Sequence, residues 1–379
     1  MRRRLVTAAA LAAALIVPAA AGADSVFGIR GVGILGRPFS ARAASSAGAF
    51  AILDATSALN PASFAQLGTP TGWATGAGTS RRFTDGTLSA ALGSTRFPLF
   101  GFAIPVGRRA VVGLTIGDYL DRTWAVTGSD STSLRDSVVA YDDKAQSTGG
   151  VSDVRLAAAY RITDHLSVGL GLHSLVGSTR SSITRTFTST AFTTFTETAI
   201  TDFSGVGISF GAVAQLGGRL ALGASARFNG RLTAKQNTGA SASVALPAEY
   251  GAGAVWIPKL GFGLAASAGY QTWSRAAADL AAAGSPGTRS VWNLAVGAEV
   301  TALHVGGEIL PLRMGYRWRQ LPFPVGTAPL SEHAVSAGFG FGMAGGRASV
   351  DAAVEVGSRS GGGATERLTT GYVGLTIRP

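Results

Sequence analysis

Residues 205–228 run GVGISFGAVAQLGGRLALGASARF. Val206, Ile208, Phe210, Ala212 and Ala214 alternate with Gly205, Gly207, Ser209 and Gly211. After a short link at 216–219, Leu220, Leu222, Ala224, Ala226 and Phe228 alternate with Ala221, Gly223, Ser225 and Arg227. A period of two is the side-chain repeat of a β-strand. One face here is wholly apolar, and the other holds glycine, small polar residues and charge. A soluble β-sandwich also alternates, but it does not so consistently keep charge off one face and glycine on the other. That division is the wall of a transmembrane barrel, with one face toward lipid and one toward the lumen.

The pattern recurs at Leu166, Val168, Leu170 and Leu172 against Ser167, Gly169, Gly171 and His173, and it continues along the chain from Gly72. Links at 106–108, 163–165, 216–219, 258–260, 300–303 and 344–347 are short. Those at 128–149, 188–196, 236–240, 276–286 and 320–330 are mostly longer and more polar. Alternating short turns with longer loops is the asymmetry of outer-membrane barrels. Counted this way, residues 72–379 hold about 14 antiparallel strands, with strand three at about 108–127 and strand eleven at about 302–319. The expected class is all-β, a transmembrane antiparallel β-barrel with an N-terminal hatch or plug containing short helix. Trp73, Trp124, Trp256, Trp273, Trp292 and Trp318 fall near strand ends, where interface girdles are expected.

Composition points the same way. Of 379 residues 14% are charged and 53 are glycine, which suits a wall that excludes charge from lipid. Cysteine is absent, which removes disulfides and thiol chemistry. Residues 1–23 have the grammar of a signal peptide: Arg2 to Arg4, an apolar run, then Ala21-Gly22-Ala23. Removing its three arginines lowers the formal charge from +11 to +8. A basic chain raises the question of nucleic acid. Export and the scattered arginines argue against that partner. No segment after residue 23 offers about 20 consecutive apolar residues, so a membrane crossing requires a closed barrel.

Residues 41–67, ARAASSAGAFAILDATSALNPASFAQL, do not alternate. Their small residues favour a helix up to Asn60-Pro61, where proline forces its predecessor out of the α region. Gly48, Ala49, Asp54, Ala55, Asn60, Pro61 and Ala62 together resemble the hatch signature of FadL-type outer-membrane proteins. That superfamily includes transporters of hydrophobic compounds and PorV-like relatives tied to secretion. The resemblance implies 14 strands, a hatch at 24–71 inside a barrel at 72–379, and a kink in the third strand that serves as a lateral exit. Asp54, Asn60, Pro61 and Ala62 are the expected hatch motif, with Asn60 able to cap a rigid turn. Gly113, Gly117 and Asp118 are the expected lateral opening, because continuing the register of Ala110, Val112, Leu114 and Ile116 would aim Asp118 at lipid unless a bulge intervenes.

Inward positions carry Arg155, Arg161, Arg227, Glu249, Glu299, Glu308, Arg313, Arg317, Asp351 and Glu355. Both signs are present, so an ion-pair lattice that stiffens the barrel is expected. Gly338, Gly340 and Gly342 form an inward strip that a plug backbone can approach. Arginines near the outer strand ends, among them Arg319 and Arg359, either meet glycolipid phosphates or simply stand in water. Pro311 is expected to mark a bulge in strand eleven.

Two motifs are set aside. Gly31-Val32-Gly33-Ile34-Leu35-Gly36 matches G-x-G-x-x-G but lacks a strand before it and a helix after it. Gly207-Ile208-Ser209-Phe210-Gly211 matches G-x-S-x-G inside a strand rather than at a strand-to-helix elbow, with His173 on the neighbouring strand. The four histidines lack metal-ligand spacing. Neither a catalytic site nor a metal or other cofactor is therefore expected. The expected role is passive uptake of small hydrophobic molecules, long-chain fatty acids or aromatic hydrocarbons, by a monomeric barrel in the outer membrane of a Gram-negative-type bacterium. Its partners are then outer-membrane lipid and lipopolysaccharide, the small hydrophobic ligand, and the barrel assembly machinery, although the chain ends Arg378-Pro379 and not on an aromatic residue. The alternative is a PorV-like scaffold that docks secreted or surface proteins without transport.

Overall fold

The computed structural model describes residues 25–379 except 87, 135, 136, 286, 306, 307, 326 and 327. The signal-peptide expectation lies outside the described residues. Among these the chain forms a closed, antiparallel barrel of 14 strands. They are β1 (Thr71–Asp85), β2 (Leu88–Val106), β3 (Ala110–Asp121 continued by Trp124–Leu134), β4 (Ser137–Arg161), β5 (Leu166–Phe187), β6 (Phe195–Leu216) and β7 (Leu220–Asn229 with Arg231–Gln236). The rest are β8 (Ser241–Ala245 with Ala248–Lys259), β9 (Phe262–Gln271), β10 (Val291–Val300), β11 (Leu312–Val325), β12 (Ala328–Met343), β13 (Ala348–Gly361) and β14 (Ala364–Ile377). β1 closes on β14 from Gly72↔Ile377 to Asp85↔Ala364. Closure pairs the first and last strands, in a medium that cannot hydrogen-bond an open edge.

Side-chain exposure follows the alternation. Leu172, Val206 and Phe210 are exposed on the outer face, whereas His173 and Ser209 on the inner face are buried. Several boundaries differ from the sequence reading. Residues 128–149 are strand for most of their length, because β3 and β4 continue as a hairpin from Trp124↔Ser147 to Leu134↔Ser137. Strand eleven begins at Leu312. The residues before it form a small separate hairpin, His304–Val305 with Glu308–Ile309, so the change of phase at Pro311 is an exit from that hairpin and not a bulge. The link between β9 and β10 carries a short helix, Ala277–Ala282.

Trp256 and Trp292 lie exposed on the outside, but Trp73 and Trp273 are buried. Trp73 packs edge-on against Phe64 inside the barrel, and Trp273 packs against Phe323 beneath the loop helix. The girdle assignment fails for these two because a strand end tells nothing about the face a ring takes.

The short helix expected in the hatch is present as a single turn, α1 (Ala41–Ala44), although small-residue propensity runs on as far as Asn60. Ser40 caps it by accepting the Ala43 N–H. Ala47 (φ 55°) and Gly48 (φ 90°) then reverse the chain. Turns follow until Pro61, which opens a 3-10 helix, Pro61–Gln66, instead of ending an α-helix. Propensity favoured one rod, but a rod of that length cannot pack against every side of a closed wall at once. Turns let the same small residues do so.

Candidate functional site: the hatch, the lumen and the break in the wall

The segment before β1 comes close to inward glycines on several strands. A Cβ at Gly315 would strike the Ser46 backbone, and one at Gly169 would strike the backbone of Pro61 and Ala62. Gly374 meets Ala41, Gly223 meets Ile52 and Leu53, and Gly113 meets Phe64. Of the expected strip, only Gly338 touches this segment, at Ser45. Gly340 faces Asp351 and Arg313, and Gly342 faces Glu308. Glycine therefore recurs around the inner wall wherever the segment's backbone or its small residues must come close.

The expected hatch residues organise the segment internally. Asp54 is buried and accepts from the Ser40, Thr56 and Ser57 hydroxyls and from the Thr56 N–H, stitching α1 to the chain fourteen to seventeen residues on. Asn60 Oδ1 accepts the Ala62 N–H at 3.0 Å, and its Nδ2 donates to the Ala212 carbonyl on β6 at 3.2 Å. One side chain thus caps a turn and ties it to the wall. Pro61 supplies the first position of the 3-10 helix, where its missing N–H costs nothing, and Ala62 is fully buried.

The lumen charges form separate groups. On the β11 to β14 side, Arg317 meets Glu332 and Glu355, both at 2.8 Å, with all three side chains at most 1% exposed. Glu332 also takes Arg319 and Arg359, and Arg359 continues to Glu366. Arg319 and Arg359 are thus inside the lattice, which corrects their placement at the outer surface. The segment joins this lattice through Arg37, which donates to both Glu355 oxygens (2.9 and 2.7 Å) and to the Tyr372 hydroxyl. Lower in the same wall, Arg313 pairs with Glu299 and Asp351. Glu308 lies in the small hairpin and not on a barrel strand, half-buried beside Gly342.

On the opposite side, Arg155 donates to Thr115 and to the Ala58 carbonyl and stacks over Phe64. Arg161 donates to the Ala65 carbonyl. Arg227 meets Asp153 at 2.7 Å and lies 3.8 Å from Glu249. Glu249 accepts from Asn229 and Gln271. Glu332, Glu366, Asp153, Arg37 and Tyr372 were not singled out from sequence. Arg37 had no signal, because it lies before Gly72, where the alternation begins. Asp153 and Glu332 lie in phase with inward neighbours and were findable by parity.

The wall is broken between β2 and β3. Their ladder runs from Val106↔Ala110 to Leu99↔Gly117 and stops. Beyond it, among the described residues, β2 is paired with β1, out to Asp85↔Leu88. β3 is irregular between Asp118 and Leu120 in its pairing with β4. Its free edge is taken by residues of the N-terminal segment: Leu35 pairs with Leu120 and Ile34 with Asp121. The Gly36 N–H donates to the Tyr119 carbonyl at 2.8 Å, and Gly117 faces Pro38. The run 31–36 that mimics a dinucleotide motif is therefore the strand and turn that lie along this edge.

Two cavities flank these features. A larger one of ≈ 890 Å³ opens at the long-loop end among Phe27, Val32, Phe83, Phe203, Leu232 and Leu280. A smaller one of ≈ 170 Å³ is walled by Leu35, Pro38, Asp118, Tyr119, Ser209 and Arg227.

Solved structures share this architecture. A Pseudomonas aeruginosa FadL homologue aligns with a TM-score of 0.65 at 15% identity, over 91% of this chain and 99% of that one. The monoaromatic hydrocarbon channel CymD aligns at 0.57 and 15%, over 91% and 98%. The Pseudomonas putida toluene transporter TodX aligns at 0.57 and 14%, over 93% and 99%. At such identities the likeness is one of fold, and it bears out the FadL-type resemblance at that level. No curated protein matches the sequence. The BamG family model matches residues 1–252, about two thirds of the chain, and the protein belongs to the BamG family.

Proposed function

We propose that the protein passes small hydrophobic molecules across the outer membrane, from the cavity at the long-loop end toward the break between β2 and β3 at Gly117 and Asp118. The observation that carries this reading is the change of partner on β3: above Gly117 its backbone pairs with two residues of the N-terminal segment and not with β2, from which the Arg96 side chain reaches across to Asp121. A two-residue pairing is a small barrier compared with a barrel ladder, so it is where the wall yields. Directly below, the segment packs against glycines on many strands, which supports a route that leaves the lumen before it. Apolar cargo, for which the bilayer is a better solvent than water, leaves sideways.

The chain contains no cysteine, so a Leu35→Cys, Leu120→Cys pair tests the reading cleanly. Liposomes holding the oxidised pair are expected to lose uptake of a fluorescent fatty acid or an aromatic hydrocarbon and regain it on reduction. Uptake by wild type no faster than by empty liposomes would sink the transport reading.

A scaffold role has one observation in its favour. β3 to β6 extend past the rest of the wall, and this projecting part exposes Val138, Ile183 and Phe195. A scaffold would bind its partner through that surface, and charge-reversing or polar substitutions there would leave uptake untouched.

A further inference from the structure

Three inward residues on three successive strands form a chain of short hydrogen bonds. The His173 Nε2 lies 2.8 Å from Ser209 Oγ, and its Nδ1 lies 2.9 Å from both oxygens of Asp153. The register explains why they meet. His173 on β5 stands opposite Arg155 on β4 and Gly207 on β6, so Asp153 and Ser209 are its diagonal neighbours, each two residues from a direct partner. Gly171 stands opposite Ser209. A Cβ there would reach Ser209 Oγ and press on the Arg155 stem, so a glycine leaves the hydroxyl its place.

The order serine, imidazole, carboxylate has a chemical direction. The carboxylate fixes the imidazole proton on Nδ1, leaving Nε2 to accept the proton of the serine hydroxyl. That is the arrangement that activates a serine nucleophile, and it is recognised by geometry and not by order in the chain. Ser209, His173 and Asp153 are 3%, 5% and 5% exposed, yet all three line the ≈ 170 Å³ cavity, whose other walls include Ile52, Phe39 and Tyr119. Backbone N–H groups in a barrel wall are committed to the ladder, so an oxyanion here must be met by side chains. Arg227 lines the same cavity, and its buried Nη2 has no hydrogen-bond partner among the described residues.

We propose that Ser209 and His173 are the catalytic residues of a site for small apolar carboxylic esters inside the barrel, with Asp153 as the positioning residue. Ser209 Oγ attacks the ester carbonyl carbon while its proton passes to His173 Nε2. The tetrahedral adduct, its oxyanion facing Arg227, collapses with loss of the alcohol, which takes that proton. Water, deprotonated by Nε2, then cleaves the acyl-serine to the carboxylic acid and restores the hydroxyl. The site requires only that an ester reach the lumen, so it stands apart from passage through the wall. It uses the G-x-S-x-G match that had no elbow to sit on: the serine is presented by a strand.

The test uses the full-length barrel folded in detergent. A fluorophosphonate probe is expected to add one covalent group at Ser209, read by peptide mass spectrometry. p-Nitrophenyl butyrate should be hydrolysed at a rate that falls about 100-fold or more in Ser209→Ala and in His173→Ala. Asp153→Asn should lower the rate and shift its pH profile, which a merely structural role would not do. Ser209→Cys guards against variants that fail to fold, since the chain has no other thiol. Its reaction with iodoacetamide should be several-fold faster with His173 present than in the Ser209→Cys, His173→Ala double variant. Equal alkylation rates in those two, or wild-type labelling no higher than in Ser209→Ala, would overturn the proposal.

Discussion

The carboxamide oxygen of Asn60 occupies the place that a Cβ of residue 211 would take, while the Asn60 Nδ2 donates to the next carbonyl, that of Ala212. A polar anchor of the lumen segment and a missing side chain in the wall are therefore two halves of one contact. Gly211→Val is expected to evict Asn60, at a cost of about 1–3 kcal/mol from overpacking and the lost bond. Limited proteolysis should then cut within residues 41–67 faster than in wild type. Gly128→Ala, at a position with open space around it, should leave the rate unchanged.

Arg37 is the tether between the lumen segment and β13. Arg37→Ala removes two bonds to Glu355 and one to Tyr372, which costs the contact about 2–5 kcal/mol. The expected readout is more frequent channel openings in planar bilayers. Asn60→Ala, which releases the opposite side of the segment, should act in the same direction but more weakly.

Glu332, itself fully buried, balances three arginines, Arg317, Arg319 and Arg359. Glu332→Gln leaves an excess of buried positive charge and should destabilise the barrel by about 3–5 kcal/mol. A lower urea midpoint, followed by the change in electrophoretic mobility on unfolding, checks this. Glu197→Gln, on an exposed strand end, should shift it by no more than about 0.5 kcal/mol.

Asp279, in the helix between β9 and β10, accepts from Arg231 (2.9 Å) and from the Ala245 N–H (2.8 Å). The Arg231 bond first, then the backbone N–H, hold its carboxyl below the usual aspartate range. A depressed folded-state value contributes stability that is complete above about pH 4 and lost as pH falls through that lower value. Hydrogen exchange of the amides in 277–285 should therefore be protected at pH 6 and, corrected for intrinsic rate, lose protection as pH falls below about 4. Asp279→Asn should show the acid-like exchange already at pH 6.

Much of the architecture was legible. Outward Leu166, Val168, Leu170 and Leu172 and inward His173 follow from parity alone, because a lipid-facing wall tolerates no charge and a strand has a period of two. The strand count followed from the same rule. Trp73 and Trp273 were misplaced because an aromatic at a strand end satisfies either face. The helix in 41–67 stops at Ala44, well short of Asn60, because no local propensity reports that a segment must touch the wall on several sides. At Asp118, where a charge in phase with lipid demands an explanation, the register with β4 slips immediately afterwards.

Alternation, glycine and scarce charge determined by themselves that this chain closes into an antiparallel barrel of about 14 strands, since these are one-dimensional constraints imposed residue by residue by lipid on one side and a lumen on the other. Which inward residues meet was decided only by register and closure. Asp153, His173 and Ser209 are separated by twenty and thirty-six residues along the chain, and Arg37 lies more than three hundred residues from Glu355 and Tyr372. Sequence periodicity carries the face of each side chain but not the offset between neighbouring strands. An offset of two residues is what separates a lone buried histidine from one held between a serine and a carboxylate.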